Sequence, residues 1–262
     1  MTGSLDGCTV VVTRPAAQAG PFIERLRTAG ARCIALPTLV IEPLDPGPSA
    51  VSAVTTRTWD WAVYTSVNAV DGAAAMLGRL PPARGVAAVG RATARALERH
   101  GQRVDLRPEA ANSEGLLATA ELQAVGGRSV LLVKGTGGRD LLQETLAGRG
   151  AEVRALEVYR RTAAVLDDAA LAAVEAALAD ASRQLVVAVT SAEVLGNLLN
   201  LLPSPLAARL RDASLLVPGD RVAAAARAAG WRGRILQAET AEDAAMFTAL
   251  ARHAAGAAPR AC

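Results

Sequence analysis

Short apolar runs recur along the chain, each followed by a longer stretch whose apolar positions fall three or four residues apart. Runs of the first kind are Thr9 to Thr13, Cys33 to Leu36, Trp61 to Tyr64, Val86 to Val89, Val130 to Val133, Val153 to Val158, Leu185 to Val189 and Leu215 to Val217. Continuous runs of this length suit strands buried on both faces of a parallel sheet. Stretches of the second kind predict helices that bury one stripe. Phe22, Ile23 and Leu26 mark the first, which stops at Gly30, and Gly101 and Gly230 stop two others. Further helices are predicted at Gly115 to Leu122 (opened by Ser113-Glu114), at 167–180, after Thr190-Ser191, and at Ala241 to Ala251. Val104 with Leu106 and the region of Ile235 predict two short strands. Four prolines between Pro37 and Pro48 make that segment an extended connector. The tail from Ala254 is expected to fray.

The clearest unit is 129–161, which reads as strand, glycine turn, helix, glycine stop, strand. Gly135, Gly137 and Gly138 allow a tight turn that brings backbone N–H groups toward a helix start. Leu142 and Leu146 give the helix its stripe, and Gly148 with Gly150 ends it. Strand-helix alternation of this kind along the whole chain predicts an α/β protein with parallel sheets.

The pattern also repeats. A shift of 120 lays Val10-Val11-Val12-Thr13-Arg14 over Val130-Leu131-Leu132-Val133-Lys134, Leu26 over Leu146, and Gly30-Ala31 over Gly150-Ala151. A shift of 125 lays Thr65-Ser66 over Thr190-Ser191, and one of 129 lays Gly101 over Gly230. Matches in this order predict two related halves.

Composition narrows the chemistry. In 262 residues there is one lysine, Lys134, against 27 arginines, and aromatics are only 3%, so the core must come from Ala, Val and Leu. A net charge of +3, spread without a basic block or interleaved aromatics, points away from nucleic acid and leaves room for a small anionic ligand. Cys8, Cys33 and Cys262 form neither a disulfide framework nor a metal motif. His100 and His253 are too few for a histidine metal site or a Ser-His-Asp triad. No apolar run spans a membrane and the N-terminus lacks a signal-peptide pattern, so a cytoplasmic protein is expected.

Five segments in order carry a resemblance. Thr13-Arg14-Pro15 with Gln18, Tyr64-Thr65-Ser66-Val67-Asn68-Ala69-Val70, Val89-Gly90-Arg91-Ala92-Thr93-Ala94, Lys134-Gly135-Thr136-Gly137-Gly138-Arg139 and Val158-Tyr159-Arg160-Arg161 resemble the uroporphyrinogen-III synthase family. The likeness runs from about Val10 to Gly230. It departs at Lys134, where arginine is usual, and at Pro218-Gly219-Asp220-Arg221-Val222, which lacks a Gly-x-x-Thr form.

The resemblance implies two flavodoxin-like α/β domains joined by a two-stranded linker, with an active cleft between them. Domain 1 would be discontinuous, 1–37 plus 163–262, and domain 2 would be 43–157, with linkers at 38–42 and 158–162. The implied reaction closes hydroxymethylbilane, a linear tetrapyrrole with eight carboxylates, into uroporphyrinogen III. Water leaves from ring A, ring D attacks through its substituted carbon to give a spiro intermediate, and fragmentation and reclosure invert ring D. Electron-rich pyrroles expel hydroxide with modest acid help, so no cofactor, metal or covalent nucleophile is expected. Holding a flexible octa-anion in one geometry is then the main task.

Tyr159 is the candidate acid, because a phenol of ordinary pKa near ~10 keeps a proton to donate at neutral pH. A tyrosine packed in a linker is the other reading. Arg14, Thr65, Ser66, Asn68, Gly90, Thr93, Lys134, Gly135, Arg139, Ser191 and Arg221 are candidate substrate contacts at strand-end turns, although the hydroxyls also suit helix caps. A monomer is expected, in which the substrate is the main partner, with room for a transient contact with hydroxymethylbilane synthase.

Two rivals stay open on the residues. Gly135-Thr136-Gly137 with Glu157 further on suggests a dinucleotide site, but Asp140 fills the third glycine position. A two-lobed protein that binds an anionic ligand without turnover would show the same duplicated α/β pattern.

Overall fold

The computed structural model describes residues 5–137 and 140–257. In chain order the elements are β1 (Cys8–Val12), α1 (Ala16–Thr28), β2 (Arg32–Ala35), β3 (Leu39–Pro43), α2 (Gly47–Thr55), β4 (Trp59–Tyr64), α3 (Val67–Leu77) and β5 (Ala83–Ala88). There follow α4 (Arg91–Arg99), α5 (Ser113–Leu117), α6 (Ala120–Gln123), β6 (Ser129–Gly135), α7 (Leu141–Gly148) and β7 (Glu152–Ala163). The last are α8 (Asp168–Ala179), β8 (Gln184–Ala188), α9 (Ala192–Leu201), α10 (Ser204–Leu210), β9 (Ser214–Pro218), α11 (Gly219–Ala228), β10 (Ile235–Ala238) and α12 (Asp243–Ala257). The chain divides into two compact units, Met1–Val40 with Thr162–Cys262, and Ile41–Arg161.

In the first unit a five-stranded sheet runs β10-β9-β8-β1-β2, with its paired strands parallel. Alternate residues of each strand feed opposite faces. Val11, Val187, Leu215 and Val217 pack under α8 to α11, while Val10, Val12, Val186 and Leu216 pack under α1 and α12. Phe22 and Leu26 of α1 are fully buried, as their spacing predicts, and burying each is worth roughly 1.5–3 kcal/mol.

The second unit has a sheet of order β3-β7-β6-β4-β5, parallel from β7 to β5. Ala62, Tyr64, Leu131 and Val133 face α2, α3 and α4, while Val63, Leu132 and Val130 face α5, α6 and α7. β3 and β7 carry the chain from one unit to the other and are neighbours in this sheet.

The sequence repeat becomes one topology. β6, β7, β4 and β5 hold the places that β1, β2, β8 and β9 hold in the other sheet. In both, chain order reverses at the central pair, β1 with β8 and β6 with β4. A threonine clamps each pair. Thr13 Oγ1 donates to the Ala188 carbonyl at 2.7 Å, and Thr65 Oγ1 donates to the Val133 carbonyl at 3.2 Å.

Several expectations need correction. The proline segment is not all connector, since it holds β3 and opens α2. Asp45 accepts from the Gly47 N–H at 2.8 Å, and a proline in the first turn costs no hydrogen bond. The helix expected at Gly115 to Leu122 does open at Ser113-Glu114, with Asn112 as its cap, but it is two helices, α5 and α6. Thr119 Oγ1 ends α5 by donating back to the Leu116 carbonyl at 2.7 Å. Val104 and Leu106 make only an isolated bridge from Leu106 to Ala87, where the Asp105 carboxylate takes the Val86 N–H. Leucines after Ser191 form α9 and then α10, because Pro203 interrupts them. α7 starts at Leu141, beyond the glycine turn, and α12 runs to Ala257, past the expected fraying point.

Candidate functional site

Parallel strands present all their carboxyl ends along one edge, and a crevice opens there where chain order reverses. In the second unit that edge carries Thr65 and Ser66 after β4, Gly90 after β5, and Gly135 with Thr136 at the end of β6. Ser66 is the N-cap of α3, and its Oγ accepts from the Ala69 N–H at 3.1 Å. The Thr65 N–H and Oγ1 both donate to the Val133 carbonyl, which ties the ends of β4 and β6 together. Gly90 is the N-cap of α4. Thr93, in the first turn of α4, is 5% exposed, whereas Asn68 in α3 is half-buried.

Tyr159 comes to this edge from β7. Its hydroxyl lies 3.1 Å from Ser66 Oγ, and its carbonyl accepts from the Thr136 N–H at 2.8 Å. The ring is 7% exposed and lies over Gly135. A slip in the ladder puts it there. Lys134 pairs with Glu157 but Gly135 pairs with Tyr159, so β7 has one residue more than β6 at this step. Such a bulge re-aims side chains. Val158 and Tyr159, which would point to opposite faces of a regular strand, both join the cluster under α3 and α4.

Lys134, the next-to-last residue of β6, is 8% exposed. Its Nζ donates to Asp140 Oδ1 at 2.9 Å and stands 3.9 Å from Glu157 Oε1. The second tyrosine, Tyr64, is buried inside β4, and desolvation pushes its phenol well above the usual range. Tyr159 is therefore the tyrosine whose hydroxyl meets the strand-end turns. The candidate Arg139, and Gly138 of the expected glycine turn, lie outside the described residues.

In the first unit the equivalent edge carries Arg14 after β1, Ser191 after β8, and Arg221 after β9. Ser191 caps α9 as Ser66 caps α3, accepting from the Val194 N–H at 3.2 Å, with nearly the same backbone angles (φ −159°, ψ 165° against −162°, 167°). Arg14 ion-pairs with Asp243 at the start of α12, donates to the Ala241 carbonyl at 2.8 Å, and stacks 4.7 Å from the Phe22 ring. Arg221 is exposed on the first turn of α11, which begins at Gly219 with φ +68°. As substrate contacts, Arg14 and Lys134 would exchange carboxylates of their own for those of a ligand. As a contact, the exposed Arg221 would give up no such partner among the described residues.

Three features escaped the sequence reading. The acidic partners of Lys134, the bulge at Val158-Tyr159 and the Thr13 clamp depend on register, which no local pattern reports. His100, expected at a helix end, is the C-cap of α4, and its Nε2 lies 3.0 Å from Asp71. Burial pushes the Cys8 and Cys33 thiols up, the direction of inert cysteines. Among the described residues, no helix is long and apolar enough to cross a membrane.

The comparisons with known proteins agree with one another. A family model described as uroporphyrinogen-III synthase HemD matches residues 20–248. The uroporphyrinogen-III synthase of Escherichia coli (strain K12) is 33% identical over 249 residues, covering 92% of this chain and 99% of that one. The enzyme of the same name from Salmonella typhimurium is 34% identical over 250 residues, at the same coverage. Among solved structures, a mutant uroporphyrinogen III synthase of Thermus thermophilus has a TM-score of 0.60 at 23% identity, covering 95% of this chain and 99% of its own, a likeness of fold.

Proposed function

The chain belongs to the uroporphyrinogen-III synthase family, and from that premise we propose that it closes hydroxymethylbilane to uroporphyrinogen III with Tyr159 as the assisting acid. The observation that carries the assignment of Tyr159 is its hydroxyl, held 3.1 Å from Ser66 Oγ at the strand edge where chain order reverses.

Water is lost from ring A when the C–O bond of its hydroxymethyl group breaks, and the departing hydroxide takes the phenolic proton of Tyr159. Ring D then attacks the exposed methylene through its substituted carbon. The spiro intermediate fragments and recloses with ring D inverted, and the proton released on closure restores the phenol. Atoms balance, with one water lost per turnover.

Most of the enzyme's contribution is positional. The octa-anion closes to the type I isomer unless it is held for the spiro route. Fixed backbone N–H groups at strand-end turns and helix starts hold carboxylates with little reorganisation. Thr65, Asn68, Gly90 and Thr93 in one unit, and Arg14, Ser191 and Arg221 in the other, are the proposed contacts, with Lys134 near the end of β6 and Arg139, which follows it in the sequence. The same reading makes the protein a cytoplasmic monomer that meets hydroxymethylbilane synthase only transiently. It uses no cofactor, since the pyrroles themselves supply the electrons that expel hydroxide.

A coupled assay tests the proposal. Hydroxymethylbilane is generated in place by its synthase, this protein is added, and the oxidised uroporphyrins are separated by chromatography. Type III should replace type I in proportion to added protein. Type I alone, with a protein shown to be folded, rejects the reading.

A further inference from the structure

We infer that Gly135 and Ser66 are positioning residues for the Tyr159 phenol. The glycine seats the ring, and the serine donates its hydroxyl proton to the phenolic oxygen, which leaves the phenolic proton free for the substrate. The inference rests on the reading of Tyr159 as the acid and assigns two residues of its surroundings a task other than touching substrate.

Room comes first. A Cβ on Gly135 would stand 2.5 Å from Tyr159 Cζ, 2.7 Å from Cε2 and 3.0 Å from Cε1, far inside ordinary contact. Gly135 is not among the glycines with positive φ, whereas its neighbour Gly137 has φ +70°. Gly137 is thus a glycine for its backbone, and Gly135 is one for the ring. The bulge in β7 brings the ring over, and the absent side chain lets it lie flat on the end of β6.

Two proton arrangements fit the bond between Ser66 Oγ and Tyr159 Oη, and the task assigned to Tyr159 selects one. A serine oxygen has one proton and two lone pairs. Ser66 Oγ already accepts from the Ala69 N–H at the start of α3, and among the described residues its other partner is Tyr159 Oη. If Ser66 donates to Oη, its own proton is engaged within the protein and the phenolic proton is left over to donate. If the phenol donated to Ser66, the phenolic proton would be held inside the site, and the serine's would be the one left over among the described residues. In the first arrangement a positive helix end feeds Ser66, and Ser66 supports the charge that grows on the phenolic oxygen as its proton leaves.

The repeat supplies a control. Ser191 caps α9 with the same geometry, but the shift that lays Val10 over Val130 lays Leu39 over Tyr159. The cap belongs to both halves, and the bond to a phenol belongs to one.

The chain has two tyrosines, so labelling the full protein with 3-fluorotyrosine gives two fluorine resonances, and Tyr159→Phe assigns them. Gly135→Ala and Ser66→Ala should each move the Tyr159 resonance while that of buried Tyr64 persists and reports an intact sheet. Both should lower kcat roughly tenfold or more with a smaller change in KM. Ser66→Thr, which keeps a cap and a donor, should restore most of the loss. Ser66→Asp keeps the cap but has no proton to donate at neutral pH and should be as slow as Ser66→Ala. A Tyr159 resonance unmoved in both Gly135→Ala and Ser66→Ala overturns the inference, as does Ser66→Asp turning over like Ser66→Thr. A moved resonance with unchanged kcat keeps the seating but rejects Tyr159 as the acid. Should Gly135→Ala not fold, the three Ser66 variants decide.

Discussion

His253 shows how a single residue sets a pH dependence away from the proposed site. It is 7% exposed on α12. Its Nε2 lies 2.7 Å from the Gln184 side-chain nitrogen, and its Nδ1 has no partner among the described residues. Burial, and then the Arg234 cation, hold its pKa below the ordinary 6.5. The folded state therefore favours the neutral ring, and the unfolded chain takes up the proton more readily. Stability from this group is complete above pH 6.5 and is lost as pH falls below that value. The melting temperature of the natural protein should fall more steeply between about pH 7 and pH 5 than that of His253→Gln. Parallel melting curves would show that the ring titrates alike in both states.

At the scale of elements, the two serine caps separate structure from chemistry. Ser66→Ala and Ser191→Ala each remove one acceptor from a helix start, and each should cost about 1 kcal/mol, read from denaturant midpoints at unchanged slope. Only Ser66→Ala should also slow turnover through Tyr159. Equal turnover losses in the two would mean that the capping itself, and not the phenol, matters. This pair also shows what was legible in advance. Hydroxyls just after an apolar strand and just before an apolar helix announce a cap, and both caps are present. The alternating runs likewise foretold two parallel-sheet units, because burial on both faces leaves a plain signature in the residues. What stayed hidden depends on partners distant in sequence. A bulge is a mismatch between two strands and cannot be seen in either alone. The Lys134 pairs need residues 140 and 157 brought round by a helix and a turn. Proline misled in one place, since four prolines read as a connector although Pro48 sits in the first turn of α2, where its missing N–H costs nothing.

For the whole molecule, duplication gave two sheets that share four strand places, with different chemistry at their edges. Each has a reversal of chain order, a threonine clamp and a serine cap. One edge adds a tyrosine laid over a glycine, and the other adds Arg14 and Arg221. A substrate with carboxylates all around it and one leaving group calls for many holding groups and one donor. The central claim is that binding geometry selects the isomer while Tyr159 speeds departure of water. The measurement that tests it most directly is the rate and isomer composition of Tyr159→Phe in the coupled assay, beside the natural protein. The account predicts turnover slowed roughly 10- to 100-fold with the product still type III. Turnover at the natural rate would remove Tyr159 from the chemistry, and a folded variant with no turnover would contradict the claim that holding the substrate does most of the work.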